Sequence, residues 1–409
     1  MTRNKLIAAI FVVALGALGI TRFVVQERVE AQGPTVTAPR FEVDPFWPKP
    51  LPNNWILGSA IGVWVDERDH VWMIHRSSST LAEQDRAAEL DEAECCAGAP
   101  PVLEFDAEGN LVGSWGGPGE GYEWPQSNHG ISVDHLGNVW IGGNGGGDSH
   151  ILKFTRTGEF LAQYGMAGAH RSPGDEGADD YIPTYEGDSS DMQNFGRVAK
   201  VVVDPVENEA YVADGYLNKR VAVLDGDTGV MQRFWGAYGN TPDDTNLGPY
   251  EPDAAPAQQF RNPVHCADVS ADGLIYVCDR ANDRLQVFQK DGTFVKEGFI
   301  AKETLASGSV WDLAFSRDEE QRYIFVVDGM NQRIHVVLRD TLEAVTSFGV
   351  GGRQPGQFYG VHSIAIDSAG NLYTTETWEG KRIQKFVYRG MAEVPRGPQG
   401  TVWPTNSTQ

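Results

Sequence analysis

Short apolar runs recur along most of this chain, each stopped by an aspartate or similar turn former and answered by a second run rich in aromatic residues. The pairs are residues 61–66 with 71–74, 131–134 with 138–141, 200–204 with 210–214, 267–270 with 274–279, 311–315 with 323–328, and 364–367 with 371–374. Runs of this length, bounded by Asp, Asn and Gly, read as β-strands joined by tight turns. After a polar loop, several units end in a third strand that closes on an aromatic residue and glycine, as at Trp115-Gly116, Tyr164-Gly165, Trp235-Gly236 and Phe348-Gly349. Six such units predict an all-β chain folded as a six-bladed β-propeller, where radial stacking leaves few open sheet edges. The last unit runs short of strands after Phe386, and the stretch 41–44 is expected to supply its outer strand and close the ring.

Aligning the units on the residue that ends each first strand places Ile61, His129, Ala199, His265, Trp311 and His362 at one shared position. Histidine thus occupies alternate units of a six-fold ring. A single histidine at a strand start is ordinarily a hydrogen-bonded structural residue; three in strict alternation, from only nine in the chain, are not accounted for in that way. Equivalent places a third of a turn apart would aim His129, His265 and His362 at a common point. Three neutral imidazoles with a fourth position open are the ligand set of a catalytic zinc, and similar sites hold iron, copper or nickel. His70, His75, His135, His150, His170 and His335 lie off this register and read as surface or structural residues.

Charge and cysteine usage narrow the setting. A net charge of −23 offers nucleic acid no basic footprint. Residues 1–32 read as a signal peptide, with Arg3 and Lys5 ahead of an apolar run at 6–20, or as an uncleaved anchor. The working domain is therefore expected to be periplasmic or secreted, touching a membrane only through that segment. Residues 33–392 form the expected propeller and 393–409 a loose tail. The insertions at 77–101, 166–194 and 238–259 are expected to shape a mouth or lid. Export permits disulfides: Cys266 and Cys278 flank a tight turn and can face each other, while Cys95 and Cys96 are neighbours, and the pairing stays open.

Three further segments carry a resemblance. They are Asp214-Gly-Tyr216-Leu-Asn218-Lys-Arg220, Ile74-His75-Arg76, and Cys278-Asp-Arg280-Ala-Asn282-Asp-Arg284. With these and the histidines, the chain resembles over roughly residues 55–390 the peptidyl-α-hydroxyglycine α-amidating lyases, six-bladed propellers related to the NHL-repeat proteins. The resemblance implies zinc on His129, His265 and His362, a catalytic Tyr216, and Arg76 and Arg280 acting on substrate or on that tyrosine. The implied reaction splits a carbinolamide, R-CO-NH-CH(OH)-COO⁻, into an amide and glyoxylate. An ordinary phenol, with a pKa of about 10, takes a proton in such a reaction only beside a cation. The implied substrate is a small molecule or peptide ending in hydroxyglycine, expected to come from a separate monooxygenase. The family also holds calcium, here through the carbonyls of Val63 and Ile131. Its carboxylate ligand follows the third histidine, however, and Ser363 stands there instead, removing a hard oxygen that calcium wants. A family methionine two places before that histidine is Gly360 in this chain. Two other readings of the same residues are a metal-dependent lactone or ester hydrolase, with metal-activated water, and a non-enzymatic extracytoplasmic binding propeller.

Overall fold

The aspartate that ends an innermost strand works as a hairpin lock. In the computed structural model, which describes residues 34–77, 94–172 and 184–404, Asp134 Oδ1 accepts the Asn138 backbone N–H at 2.8 Å while Oδ2 accepts Trp140 Nε1 at 2.9 Å. Asp66 holds Trp72 Nε1 at 2.9 Å and Asp367 holds the Tyr373 hydroxyl at 3.0 Å in the same manner. In these three blades one carboxylate thus closes the turn and fixes the aromatic residue six positions on, whereas Ser270 and Ser316 close the turns of blades 4 and 5. The aromatic bodies then fill the core between neighbouring sheets; Trp72, Trp140, Tyr211, Tyr276 and Tyr373 are all fully buried.

Six antiparallel sheets result, as the repeat predicts. Blade 1 comprises Ser59–Val65, Val71–Arg76, Val102–Phe105 and Leu111–Trp115. Blade 2 comprises Asn128–Val133, Val139–Gly143, His150–Phe154 and Phe160–Gly165. Blade 3 is built of Val198–Asp204, Glu209–Asp214, Arg220–Asp225 and Met231–Trp235. Blade 4 is built of Val264–Val269, Ile275–Asp279, Arg284–Phe288 and Phe294–Phe299. Blade 5 has Asp312–Phe315, Tyr323–Asp328, Arg333–Leu338 and Ala344–Phe348. Blade 6 has Val361–Ile366, Leu372–Glu376 and Arg382–Pro395, with Thr35–Asp44 as its outer strand. First strands of successive blades abut, and that of blade 6 meets that of blade 1. The ring is closed by the N-terminal strand, with Phe41 opposite Tyr388 and Val43 opposite Phe386.

Two expectations are corrected. The stretch read as a polar loop between second and third strands carries a buried strand of its own, so each blade has four strands rather than three. It reads as polar because it opens on charged residues that fold inward: Arg220 and Arg284 are fully buried against aspartates. The tail is also not loose as far as it is described. The last strand runs on to Pro395 against Thr35, Gly397–Pro398 pairs with blade 5, and the Val43 N–H donates to the Val402 carbonyl at 2.8 Å. Residues 393–402 find backbone partners on two exposed sheet edges, a gain that composition does not announce. Cys266 and Cys278 lie opposite each other in blade 4 and are bonded, and Cys95 is bonded to Cys96. The leader, most of the insertion at 77–101 and part of that at 166–194 fall outside the described residues.

Candidate metal centre

In five of the six units the shared position lies at or beside a break in the register of the innermost strand. Pairing with the second strand skips Ile61, Ala199, His265 and His362, and in blade 2 it skips Gly130 beside His129. Such a bulge turns a side chain out of the regular alternation. The imidazoles of His129, His265 and His362 converge, with ring centroids 4.9–5.1 Å apart, and all three are buried.

Each ring is oriented by the next blade. Nδ1 of His129 lies 2.7 Å from the Ala199 carbonyl oxygen, Nδ1 of His362 lies 2.6 Å from that of Ile61, and Nδ1 of His265 bonds the Trp311 carbonyl. The acceptors are the residues aligned with the histidines in the intervening units. A carbonyl can only accept, so every Nδ1 carries its proton and every Nε2 offers a lone pair. Close approach of blades 2 and 3 depends on Gly130, at φ +60°, where a Cβ would stand 2.3 Å from the Ala199 oxygen. Burial, then neighbouring positive charge from Arg76, Arg280 and the other imidazoles, holds all three histidines well below the usual imidazole range, His362 at about 3.

The Tyr216 hydroxyl sits 3.0 Å from Nε2 of His129 and 3.0 Å from Nε2 of His265. One phenol proton cannot satisfy two lone pairs, and the third Nε2 faces the same space. Ligand atoms of the three histidines lie within 4.8 Å of one another. Buried acceptors pointing at one another are costly unless a cation lies among them, so the donor set fits a metal ion, and three neutral nitrogens suit zinc.

Around the tripod, the loops between second and third strands deliver the remaining groups. A buried Asp214–Arg220 pair at 2.8 Å fixes the loop bearing Tyr216, and Arg220 also donates to the carbonyls of Ser189, Asp191 and Asn194 at 2.7–2.9 Å. A matching Asp279–Arg284 pair at 2.7 Å fixes the loop bearing Arg280. Arg280 donates through Nη1 to the Tyr216 hydroxyl at 3.2 Å, and its guanidinium stacks 4.5 Å above the Trp311 ring. Arg76 is held by Asn144 Oδ1 at 2.7 Å and by the carbonyl of Asn128, the residue before His129, at 3.3 Å. Burial pulls its pKa down, opposed by Tyr216 and Asp148. The structure therefore gathers His129, His265, His362, Tyr216 and Arg280 at one place and sets Arg76 beside it. Of the histidines off the register, His75 accepts the Gly58 N–H and bonds the Pro100 carbonyl, and His335 pairs with Asp328 at 2.9 Å.

Calcium does not fit. Val63 and Ile131 lie in the innermost strands of blades 1 and 2, but the carboxylates gathered among the inner strands already have a resident cation. Lys200 Nζ lies 2.9 Å from Asp268 Oδ1 and 2.7 Å from Asp312 Oδ1, while Ser363 Oγ donates to Asp312 Oδ2 at 2.6 Å. The ammonium also lies 5.9 Å from the centre of the Trp64 ring. Cys266, the third donor near these aspartates, is tied up in its disulfide. A second cation among these groups would meet the buried ammonium. Sequence reasoning missed this cluster, and also Asn144 and the stacking of Arg280 on Trp311. The available signal was a charged residue inside otherwise apolar innermost strands, at Lys200, Asp268 and Asp312.

No family model matches the chain. Among curated proteins, it is 29% identical over 171 residues to peptidyl-glycine alpha-amidating monooxygenase B of Xenopus laevis, covering 41% of this chain and 16% of that protein. Form A from the same organism gives 29% over 170 residues, 41% of this chain and 15% of that protein. The chain is distantly similar to proteins named as amidating enzymes. It spans about a sixth of their length. Among solved structures, a streptogramin B lyase superposes with a TM-score of 0.49 at 13% identity, over 85% of this chain and 98% of its own. A virginiamycin B lyase from Staphylococcus aureus gives 0.46 at 13% identity, over 83% and 86%.

Proposed function

We propose that the chain is a zinc-dependent carbon–nitrogen lyase that splits an N-acyl-α-hydroxyglycine into an amide and glyoxylate. The observation that carries this reading is the Tyr216 hydroxyl, set 3.0 Å from two of three converging Nε2 atoms and 3.2 Å from Arg280. A proton acceptor, a Lewis-acid site and a cation for an anionic group then share one site, and similarity to amidating enzymes supports the assignment.

Zinc bound by the three imidazoles would supply Lewis acidity toward the substrate hydroxyl. Tyr216, acting as its phenolate, takes the hydroxyl proton and passes it on to the leaving nitrogen. The freed electron pair forms the aldehyde carbonyl of glyoxylate, the C–N bond breaks, and its electrons pass to the amide nitrogen, which receives the proton. Arg280 donates to the tyrosine oxygen and so stabilises the phenolate that accepts the proton. Arg76 or Arg280 grips the substrate carboxylate by paired hydrogen bonds. Outside the cytoplasm, a separate monooxygenase would supply the hydroxylated substrate.

The test is glyoxylate release from α-hydroxyhippurate by zinc-loaded protein. Zinc-dependent release supports the lyase; no release, with turnover of lactones instead, would establish the hydrolase reading.

A further inference from the structure

Pseudo-symmetry makes the loops above the histidines comparable position by position. Asp214 pairs with Val198 in blade 3, and Glu376 pairs with Val361 at the same place in blade 6. Each acid binds an arginine six residues on, Asp214 to Arg220 at 2.8 Å and Glu376 to Arg382 at 2.5 Å. Two residues after the acid comes Tyr216 in one loop and Trp378 in the other. These are equivalent positions three blades apart, on opposite sides of the ring.

We infer that Trp378 is the specificity-determining counterpart of Tyr216, a platform for a planar, apolar acyl group on the amide side of the substrate; the inference rests on the lyase reading. Its indole is 50% exposed, whereas Trp72, Trp140 and Trp311 are fully buried. It meets the Trp311 ring edge-on at 5.6 Å, and Trp311 in turn stands 5.5 Å from His362. The exposed indole thus continues an aromatic wall that begins at the metal ligands.

This placement is maintained against local preference. Trp378 has a φ of +50°, an uncommon and strained conformation for a bulky residue. The Trp378 N–H is anchored on Ser59 Oγ at 2.7 Å, and Ser59 Oγ lies 2.9 Å from Thr377 Oγ1. Gly360, at φ +92°, leaves the loop its space: a Cβ there would stand 2.8 Å from the Thr377 oxygen and 3.3 Å from the Trp378 ring. The substrate has three recognisable parts. Its hydroxyl belongs with Tyr216 and the histidines, and its carboxylate with a guanidinium of blade 1 or blade 4. What remains is a flat acyl-amide, for which an indole is the matching surface.

Trp378→Ala and Trp378→Phe test this on a pair of substrates, α-hydroxyhippurate with its benzoyl group and N-acetyl-α-hydroxyglycine. Trp378→Ala is expected to lower the benzoyl-over-acetyl preference in kcat/KM by about tenfold, the size of one good aromatic contact, acting through KM. Trp378→Phe should restore most of that preference. Equal losses on both substrates, or a fall confined to kcat, would overturn the inference and leave Trp378 a structural residue. If the wild type cleaves neither compound, the lyase reading fails separately. Calorimetric binding of hippurate and N-acetylglycine to the zinc-loaded protein then decides the platform. Preference for hippurate that disappears in Trp378→Ala sustains it, and absence of preference in the wild type overturns it.

Discussion

Nη1 of Arg280 donates to the hydroxyl of Tyr216 at 3.2 Å, while two imidazole nitrogens lie 3.0 Å from that same oxygen. On the proposed lyase reading this phenol carries the proton. Tyr216→Phe is expected to cut kcat by about 10²–10⁴-fold, the usual worth of a positioned acid–base group. Elemental analysis should find its zinc retained; an unchanged rate would remove Tyr216 from the chemistry.

His129→Ala removes one of three nitrogens and leaves the Ala199 carbonyl without its donor. Zinc content is expected to fall from about one per chain to a small fraction, a threefold nitrogen set being the usual minimum for a catalytic site. Inductively coupled plasma analysis of gel-filtered protein measures this. His75→Ala, which removes a buried ring bonded to Gly58 and Pro100, should lower stability and leave the metal in place.

Lys200 lies between Asp268 and Asp312, and one ammonium serves two buried carboxylates. Burial, opposed by Lys200 and reinforced by Asp312, pushes Asp268 up to about 6. Lys200→Met would leave both acids uncompensated and is expected to destabilise by about 3–5 kcal/mol in denaturant unfolding. Adding Asp268→Asn and Asp312→Asn should recover much of that loss. Millimolar calcium is expected to leave the Tm of the wild type unchanged.

Asp283 closes the Arg280 loop, accepting the Ser309 N–H at 2.7 Å, and burial pushes its carboxyl up to about 7 from 3.8. The folded state therefore binds this proton more tightly than the unfolded state. Stability from this group falls as pH rises from about 4 to 7 and is level above that. Asp283→Asn, which keeps the acceptor and tolerates the left-handed backbone at φ +54°, should raise Tm by about 2–4 °C at pH 8. The gain should shrink toward pH 4; a pH-independent difference would assign it to another cause.

Strand Thr35–Asp44 supplies the outer edge of blade 6. Deleting it would remove Phe41 and Val43 and expose their partners Phe325, Phe348 and Phe386. Loss of cooperative thermal unfolding is the expected result, and a deletion variant with a wild-type Tm would show that the ring closes without it.

Much of this architecture was legible because its parts repeat. The Asp-to-aromatic spacing of the hairpins appears in the sequence as it does in space, and so does the alternation of His129, His265 and His362 with Ile61, Ala199 and Trp311. The third strand was not legible in blades 3, 4 and 6, because Arg220, Arg284 and Arg382 look solvent-bound until their buried acids are seen. Lys200 escaped notice for a related reason: its partners come from blades 4 and 5, 68 and 112 residues away. Local pattern shows which residues face inward, whereas the pairing of inward charges depends on how the blades are ordered around the axis.

The hydrogen bonds from Nδ1 have a consequence for assembly. His129 is hung from blade 3, His265 from blade 5 and His362 from blade 1, so the three struts cross every second seam of the ring, including the one where last blade meets first. A half-built or sprung propeller would have its imidazoles but no tripod. Ion capture would then come after ring closure, and occupancy of the site becomes a gauge of whether the circle has shut.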